Sequence, residues 1–248
     1  LSVVDIYCEI MNQRDVVVYS CVKSMMFPFK VPASKVEVNS QQSAGKGEDF
    51  KNHLVKMTET LEGLGSQTHS SLKPGQLILH TLARPLTLTH TMQLATLGRL
   101  THPRHFNTRQ FKHDELVVPG GLVLGMTTSL ASRDLHEVLY EELFECAFPN
   151  ETAPGDCIGA MTFILEREEH VSGEMESLII RTIGIKNVDI VKFAGKQMPN
   201  DLFTGSIPMP KALEEMLKKE CPELNRSIIC ICDRKIYRQT PKETPFLL

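Results

Sequence analysis

An α+β fold, in which one buried helix is enclosed by an antiparallel sheet, is what three features of the sequence predict. Leu122 to Ala131 is apolar on nearly every helical face and long enough for a buried helix, so something must wrap it. The runs Glu141–Phe148, Cys157–Glu166 and Ser177–Ile185 read as strands parted by the turn residues Pro149-Asn150 and Pro154-Gly155-Asp156, and they supply the wrapping. Upstream, Leu77–Leu82 and Leu86-Thr87-Leu88 are also strand-like, and a helical stretch containing Met92, Leu94, Ala95 and Leu97 starts at Thr89-His90-Thr91.

The remaining segments obey the same logic. Val3–Ile10 and Val16–Val22 alternate apolar and polar residues around Asn12-Gln13-Arg14-Asp15, which predicts a strand pair or one bulged strand. Such a piece cannot fold alone, and the chain begins at Leu1, so an absent N-terminal portion is expected to complete its sheet. Pro32 to Ser71 is rich in Ser, Gln, Gly, Lys and Glu and predicts a linker with one weak helix around Phe50, Leu54, Met57 and Leu61. The tail predicts an amphipathic helix over Pro210–Lys219, with proline in its first turn, and a strand over Ile228–Cys232.

Composition narrows the function classes. With 248 residues and 42% hydrophobic content the chain can build one large core or two small ones. It has no apolar run of roughly 18 residues or more, so no membrane partner is expected. A formal charge of -3 without a long basic run does not indicate nucleic acid. Seven irregularly spaced cysteines predict free thiols and an intracellular, reducing compartment. Cys230 and Cys232 face one way on a strand but lack partner cysteines at metal-site spacing, and His80, His90 and His113 are scattered; neither metal nor cofactor is expected.

Four stretches, taken by order and spacing, carry a resemblance. They are His102-Pro103-Arg104-His105-Phe106-Asn107, Val117-Val118-Pro119-Gly120-Gly121 leading into the long helix, Pro154-Gly155-Asp156, and Leu178-Ile179-Ile180-Arg181-Thr182. Together they make the chain resemble the MaoC-like hydratases, in particular their mesaconyl-CoA (2-methylfumaryl-CoA) hydratase branch, which is built from two hotdog repeats. The resemblance implies the hotdog fold and a double-hotdog architecture whose first repeat is largely missing. Residues 1–31 are then the terminal strands of that repeat, 32–71 a linker, 72–191 the MaoC-like hotdog domain and 192–248 a C-terminal extension.

The same resemblance implies a catalytic histidine with an aspartate five positions upstream, the two holding a water for addition across an enoyl double bond. His105 takes the histidine position, and an imidazole can exchange a proton with such a water. Position 100, however, is Leu100, which neither donates nor accepts a hydrogen bond and stands where the mesaconyl-CoA branch uses asparagine. His102 and Asn107 are the nearby polar residues that could support His105. The alternative is a loop histidine that has lost its chemistry. Gly120 and Gly121 at the helix start would aim free N–H groups at a thioester oxygen, or else only let the chain turn tightly. Arg133 is read as the partner of Asp134 rather than of a phosphate, and Asp156 as a turn residue.

For function, the resemblance implies an enoyl-CoA hydratase or dehydratase, a hydro-lyase if active, working on a short branched acyl thioester carried by CoA or an acyl carrier protein. The rival is a catalytically silent hotdog in a larger, mitochondrial assembly. A thioesterase would need a base such as Asp114 or Glu115. Hotdog domains pair side by side, so a homodimer or a partner chain is expected.

Overall fold

The structure is a computed structural model that describes residues 2–27, 29–31, 52, 56, 72–135, 138–172 and 175–239. The chain divides into two units, Leu1–Glu48 and Asp49–Leu248. The linker helix expected around Phe50 to Leu61 lies outside the described residues, apart from helical positions 52 and 56.

The first unit is a hairpin of β1 (Ser2–Met11) and β2 (Val17–Phe27). Asn12 forms its turn: its side-chain oxygen accepts from the N–H groups of Arg14 (2.9 Å) and Val16 (3.1 Å), and Asp15 adopts φ 56°. The register pairs Cys8 with Cys21 and slips between Ile10 and Met11. Val3, Ile10, Val18 and Val22 are exposed.

In the second unit, β3 (Leu77–Pro85), β4 (Val138–Ala147), β5 (Cys157–Ser172), β6 (Met175–Lys186) and β7 (Ile228–Gln239) form one antiparallel sheet in the order β3-β5-β6-β7-β4. Between β3 and β4 come α1 (Leu88–Leu97) and α2 (Gly120–Leu135); α3 (Pro210–Glu220) precedes β7. Leu86-Thr87-Leu88, expected as strand, instead starts a helix. Leu86 is fully buried outside β3, and Thr87 caps α1 in a reciprocal box with His90, its hydroxyl accepting from His90 N–H and the His90 ring accepting from Thr87 N–H, each at 3.3 Å.

Strand alternation divides the core between the two faces of this sheet. Towards α2, Val123, Leu130, Ala131 and Leu135 meet apolar side chains of β5, β6 and β7, among them Ala160, Ile164, Ile180, Cys230 and Ile236. The opposite face carries Met161, Ile183, Ile185 and Ile231, covered by Phe193, Leu202, Phe203, Leu213, Leu217 and Leu224. Buried Arg181 fastens this cover: it pairs with Asp233 and donates to the carbonyl oxygens of Leu202 (3.3 Å) and Gly205 (2.7 Å).

Two expectations change here. The described part of the expected extension 192–248, residues 192–239, is no appendage to the sheet, because it supplies the second layer and, in β7, a strand hydrogen-bonded on both sides. Nor is α2 enclosed all round. One face packs, while Gly121, Gly125, Ser129 and Ser132 are exposed, since small residues cost little when left in water. The packed face comes very close to the sheet, so that a Cβ added at Gly184 would meet Thr127 Oγ1.

Candidate functional site

The site expected from sequence is built on the connection between α1 and α2. α1 closes at Gly98, whose N–H bonds Leu94 O at 2.8 Å; Arg99 then turns the chain at φ 47°, and Leu100 N–H bonds Ala95 O at 2.9 Å. Leu100 is half-buried and lies against Gly98, so its position serves helix closure and brings no polar group to the loop.

Pro103 opens the 3₁₀ turn Pro103–His105, where a missing N–H costs nothing. His105 is half-buried, and its Nδ1 lies 2.7 Å from Val117 O. A carbonyl only accepts, so Nδ1 carries the hydrogen and the neutral ring keeps its lone pair on Nε2. In return, Val117 N–H donates to Arg104 O at 2.9 Å. This reciprocal clasp ties the turn to a point three residues before Gly120, where α2 begins. Arg104 adds a two-pronged pairing with Glu151 (2.8 and 3.1 Å).

Gly120 and Gly121 are the first two residues of α2, where backbone N–H groups have no helical carbonyl behind them. Gly120 also has a packing role: a Cβ there would lie 3.1 Å from the Phe148 ring. Gly121 is exposed and would accept a Cβ without contact. The two proposed supports stand differently. The His102 ring centroid is 5.7 Å from that of His105, and its Nδ1 accepts from Arg104 N–H at 3.3 Å. Asn107 instead stabilises its own loop, donating to Gln110 and accepting from Arg109 N–H. Neither side chain is hydrogen-bonded to His105.

The remaining candidates settle into local roles. Asp156 accepts from Ala153 N–H (2.9 Å) and from Asn187 (2.6 Å), as a turn aspartate does. Asp114 and Glu115 sit exposed on a 3₁₀ turn, Glu115 accepting from Lys112 N–H at 2.7 Å. Cys230 and Cys232 both face α2; Cys146 lies 4.0 Å from Cys230, sulfur to sulfur, and that hydrogen bond pushes the Cys230 thiol far up. Among the described residues no group of three or more His, Cys, Asp or Glu is arranged to hold a metal, and no helix is long and apolar enough to cross a membrane.

One polar cluster escaped the sequence reading. Arg133 is only 3.7 Å from Asp134 through Oδ1, while Asp134 Oδ2 is 2.7 Å from Nδ1 of buried His80. Residues 54 positions apart carry no spacing signal; the one hint was a histidine in the apolar run Leu77-Ile78-Leu79-His80.

No family model and no curated protein matches the chain. Among solved structures, a protein from Chloroflexus aurantiacus J-10-fl described as a MaoC domain protein dehydratase matches 96% of this chain at 18% identity and TM-score 0.63; the chain spans 64% of its length. A MaoC-like dehydratase from Rhodospirillum rubrum matches 70% of this chain and 97% of its own at 13% identity and TM-score 0.45. A Mycobacterium tuberculosis protein described as a double hotdog fold matches 70% of this chain and 44% of its own at 11% identity and TM-score 0.44. The Chloroflexus likeness is one of fold, and that fold is the hotdog: a long helix laid on an antiparallel sheet.

Proposed function

We propose that this protein is a hydratase or dehydratase of acyl thioesters, of the MaoC-like kind, in which His105 moves the proton of the added water. The observation that carries the reading is the clasp between the His105 turn and Val117. It fixes the ring with hydrogen on Nδ1 and a basic Nε2, the form a general base needs. The first N–H groups of α2, at Gly120 and Gly121, come within four residues of the clasp and suit a developing enolate oxygen. The addition balances on one group: as the water oxygen bonds the β-carbon, His105 Nε2 takes a proton from it, and the imidazolium so formed returns that proton to the α-carbon as the enolate collapses.

The substrate proposed is a short branched enoyl thioester. Arg99, Arg109 and Lys112 flank the His105 turn in sequence and suit the phosphates of CoA or of an acyl carrier protein. A homodimer or a partner chain is proposed to complete the site, in a reducing intracellular compartment. No metal or redox cofactor enters this reaction scheme.

Leu100 favours a second reading, that of a silent hotdog in a larger assembly, since its side chain cannot hold a water. The two readings part on a single comparison. Wild-type protein is incubated with crotonyl-CoA and with mesaconyl-CoA, and 3-hydroxyacyl product is measured beside Leu100→Asp. The enzyme reading expects wild-type turnover, unchanged or lowered in the variant because a new carboxylate competes for the water. No wild-type turnover, with activity appearing only in Leu100→Asp, would establish the silent reading.

A further inference from the structure

A row of polar side chains, buried from His80 through Thr162 and Thr182 to Arg234, crosses the sheet under the C-terminal end of α2, apart from the site described above. His80 of β3 is 1% exposed; besides Asp134 at Nδ1, it meets Thr162 Oγ1 of β5 at 2.8 Å through Nε2. Thr162 Oγ1 lies 3.0 Å from Thr182 Oγ1 of β6. Arg234 of β7 donates to Thr182 Oγ1 at 3.2 Å and, through its other terminal nitrogen, to Glu141 of β4 at 2.6 Å.

Chemistry gives the row one direction. A guanidinium only donates, so Thr182 Oγ1 accepts from Arg234 and turns its own hydrogen towards Thr162. The Thr162 hydroxyl then donates to His80 Nε2, which must be unprotonated. His80 keeps its hydrogen on Nδ1 and donates it to the Asp134 carboxylate, which only accepts. A single neutral tautomer satisfies both ring nitrogens and both hydroxyls, while Arg234 Nε is left without a partner. Were Nε2 to gain a proton, Thr162 Oγ1 would have to accept from it, and one of the two hydroxyl hydrogens would lose its acceptor in the row.

The surroundings act in the same sense. Burial pushes His80 below its ordinary value; Asp134 of α2 pulls it back, while Arg234 of β7 and Arg133 of α2 oppose its charging. Glu141 of β4 faces Arg234. Among the described residues β3 is an edge strand paired with β5, and His80 gives it a hydrogen-bonded side-chain tie to the end of α2, beside the apolar packing of Ile78. A cavity of about 300 Å³ runs along this seam, lined by Leu72, Gln76, Leu79, Thr81, Arg133 and Asp134.

We propose that the row is an acid-sensitive latch: His80, held as the neutral Nδ1–H tautomer, fastens β3 to α2 at neutral pH, and its protonation releases β3 along the cavity. Because the folded state disfavours the charged ring, the latch contributes its full stability above pH 6.5 and loses it as the pH falls from there towards the depressed folded value. The unfolding constant should rise by up to about tenfold per pH unit across that window.

The test is NMR of the full chain labelled with ¹⁵N-histidine, titrated from neutral to acid pH, with hydrogen exchange read in parallel. The expected result is an uncharged Nδ1–H His80 at pH 6.5, and faster exchange at Leu77–His80, after correction for intrinsic rates, before β6 opens. Arg234→Gln can accept from Thr182 and lets the row reverse, so it should raise the His80 pKa by more than Arg133→Gln, which removes a charge without touching the row. An Nε2–H tautomer, a pKa at or above 6.5, or equal shifts in the two variants overturns the latch. If Arg234→Gln does not fold, the wild-type tautomer and titration decide alone.

Discussion

His80 gives both ring nitrogens to side chains, half-buried Asp134 and buried Thr162, whereas His105 gives one to a backbone carbonyl and leaves the other without a hydrogen-bond partner among the described residues. Both carry a hydrogen on Nδ1 by the same rule, that a carbonyl or carboxylate only accepts. Their environments differ. His80 sits between α2 and the sheet, so its hydrogen bonds are structural and their loss leaves desolvated partners behind. His105 lies half-buried on a short turn held by backbone bonds, so its ring contributes little to folding and remains available for chemistry. Exposure and partners, rather than residue type, separate a histidine that holds the fold from one that can act.

Substitutions can break this comparison, beginning where the effect should be greatest. His80→Ala strands Asp134 and Thr162 and opens a void, and should cost roughly 2–5 kcal/mol in denaturant unfolding. His105→Ala in the same assay should stay within about 1 kcal/mol of wild type. Equal losses would put the two histidines in one class.

Gly184→Ala sharpens the packed side of the contrast. A methyl there meets Thr127 Oγ1 and forces α2 away from β6, so a melting experiment should register a loss of about 1–3 kcal/mol. Unchanged stability would mean that the helix and sheet are not held as closely as the seam requires. On the turn, Glu151→Gln removes the charged partner of Arg104, but both side chains are well exposed, at 37% and 66%. Double-mutant analysis with Arg104→Gln should return a coupling of only about 0.2–1 kcal/mol.

The sequence exposes the turn far better than the seam. His102-Pro103-Arg104-His105 and Gly120-Gly121 are contiguous motifs, while the hydrogen bonds that tie the first to Val117, three residues before the second, carried no signal in the sequence. β5 and β6 were legible because long apolar runs end at turn residues and the two strands pair as sequence neighbours, although the register shifts between Ile164 and Glu166 and again between Glu168 and Ser172. β7 was only half legible. Ile228–Cys232 reads as a strand, but nothing local says that it inserts between β6 and β4 after more than 40 intervening residues. Charged Asp233, Arg234, Lys235 and Arg238 hid the rest of the strand, since a buried arginine becomes tolerable only beside a partner such as Asp233, Glu141 or Glu176, each distant from most of the charges it meets. The face of α2 left to solvent was hidden by small residues, which a hydrophobicity pattern counts as core.

The central claim is that His105 is the proton-transferring group of an acyl-thioester hydratase, and the measurement that tests it most directly is the rate of crotonyl-CoA hydration by folded wild type and folded His105→Ala. Loss of the base should lower kcat/KM by roughly 10²–10⁴-fold, with the unfolding curve hardly moved. A His105→Ala protein that hydrates the thioester at the wild-type rate would contradict the account.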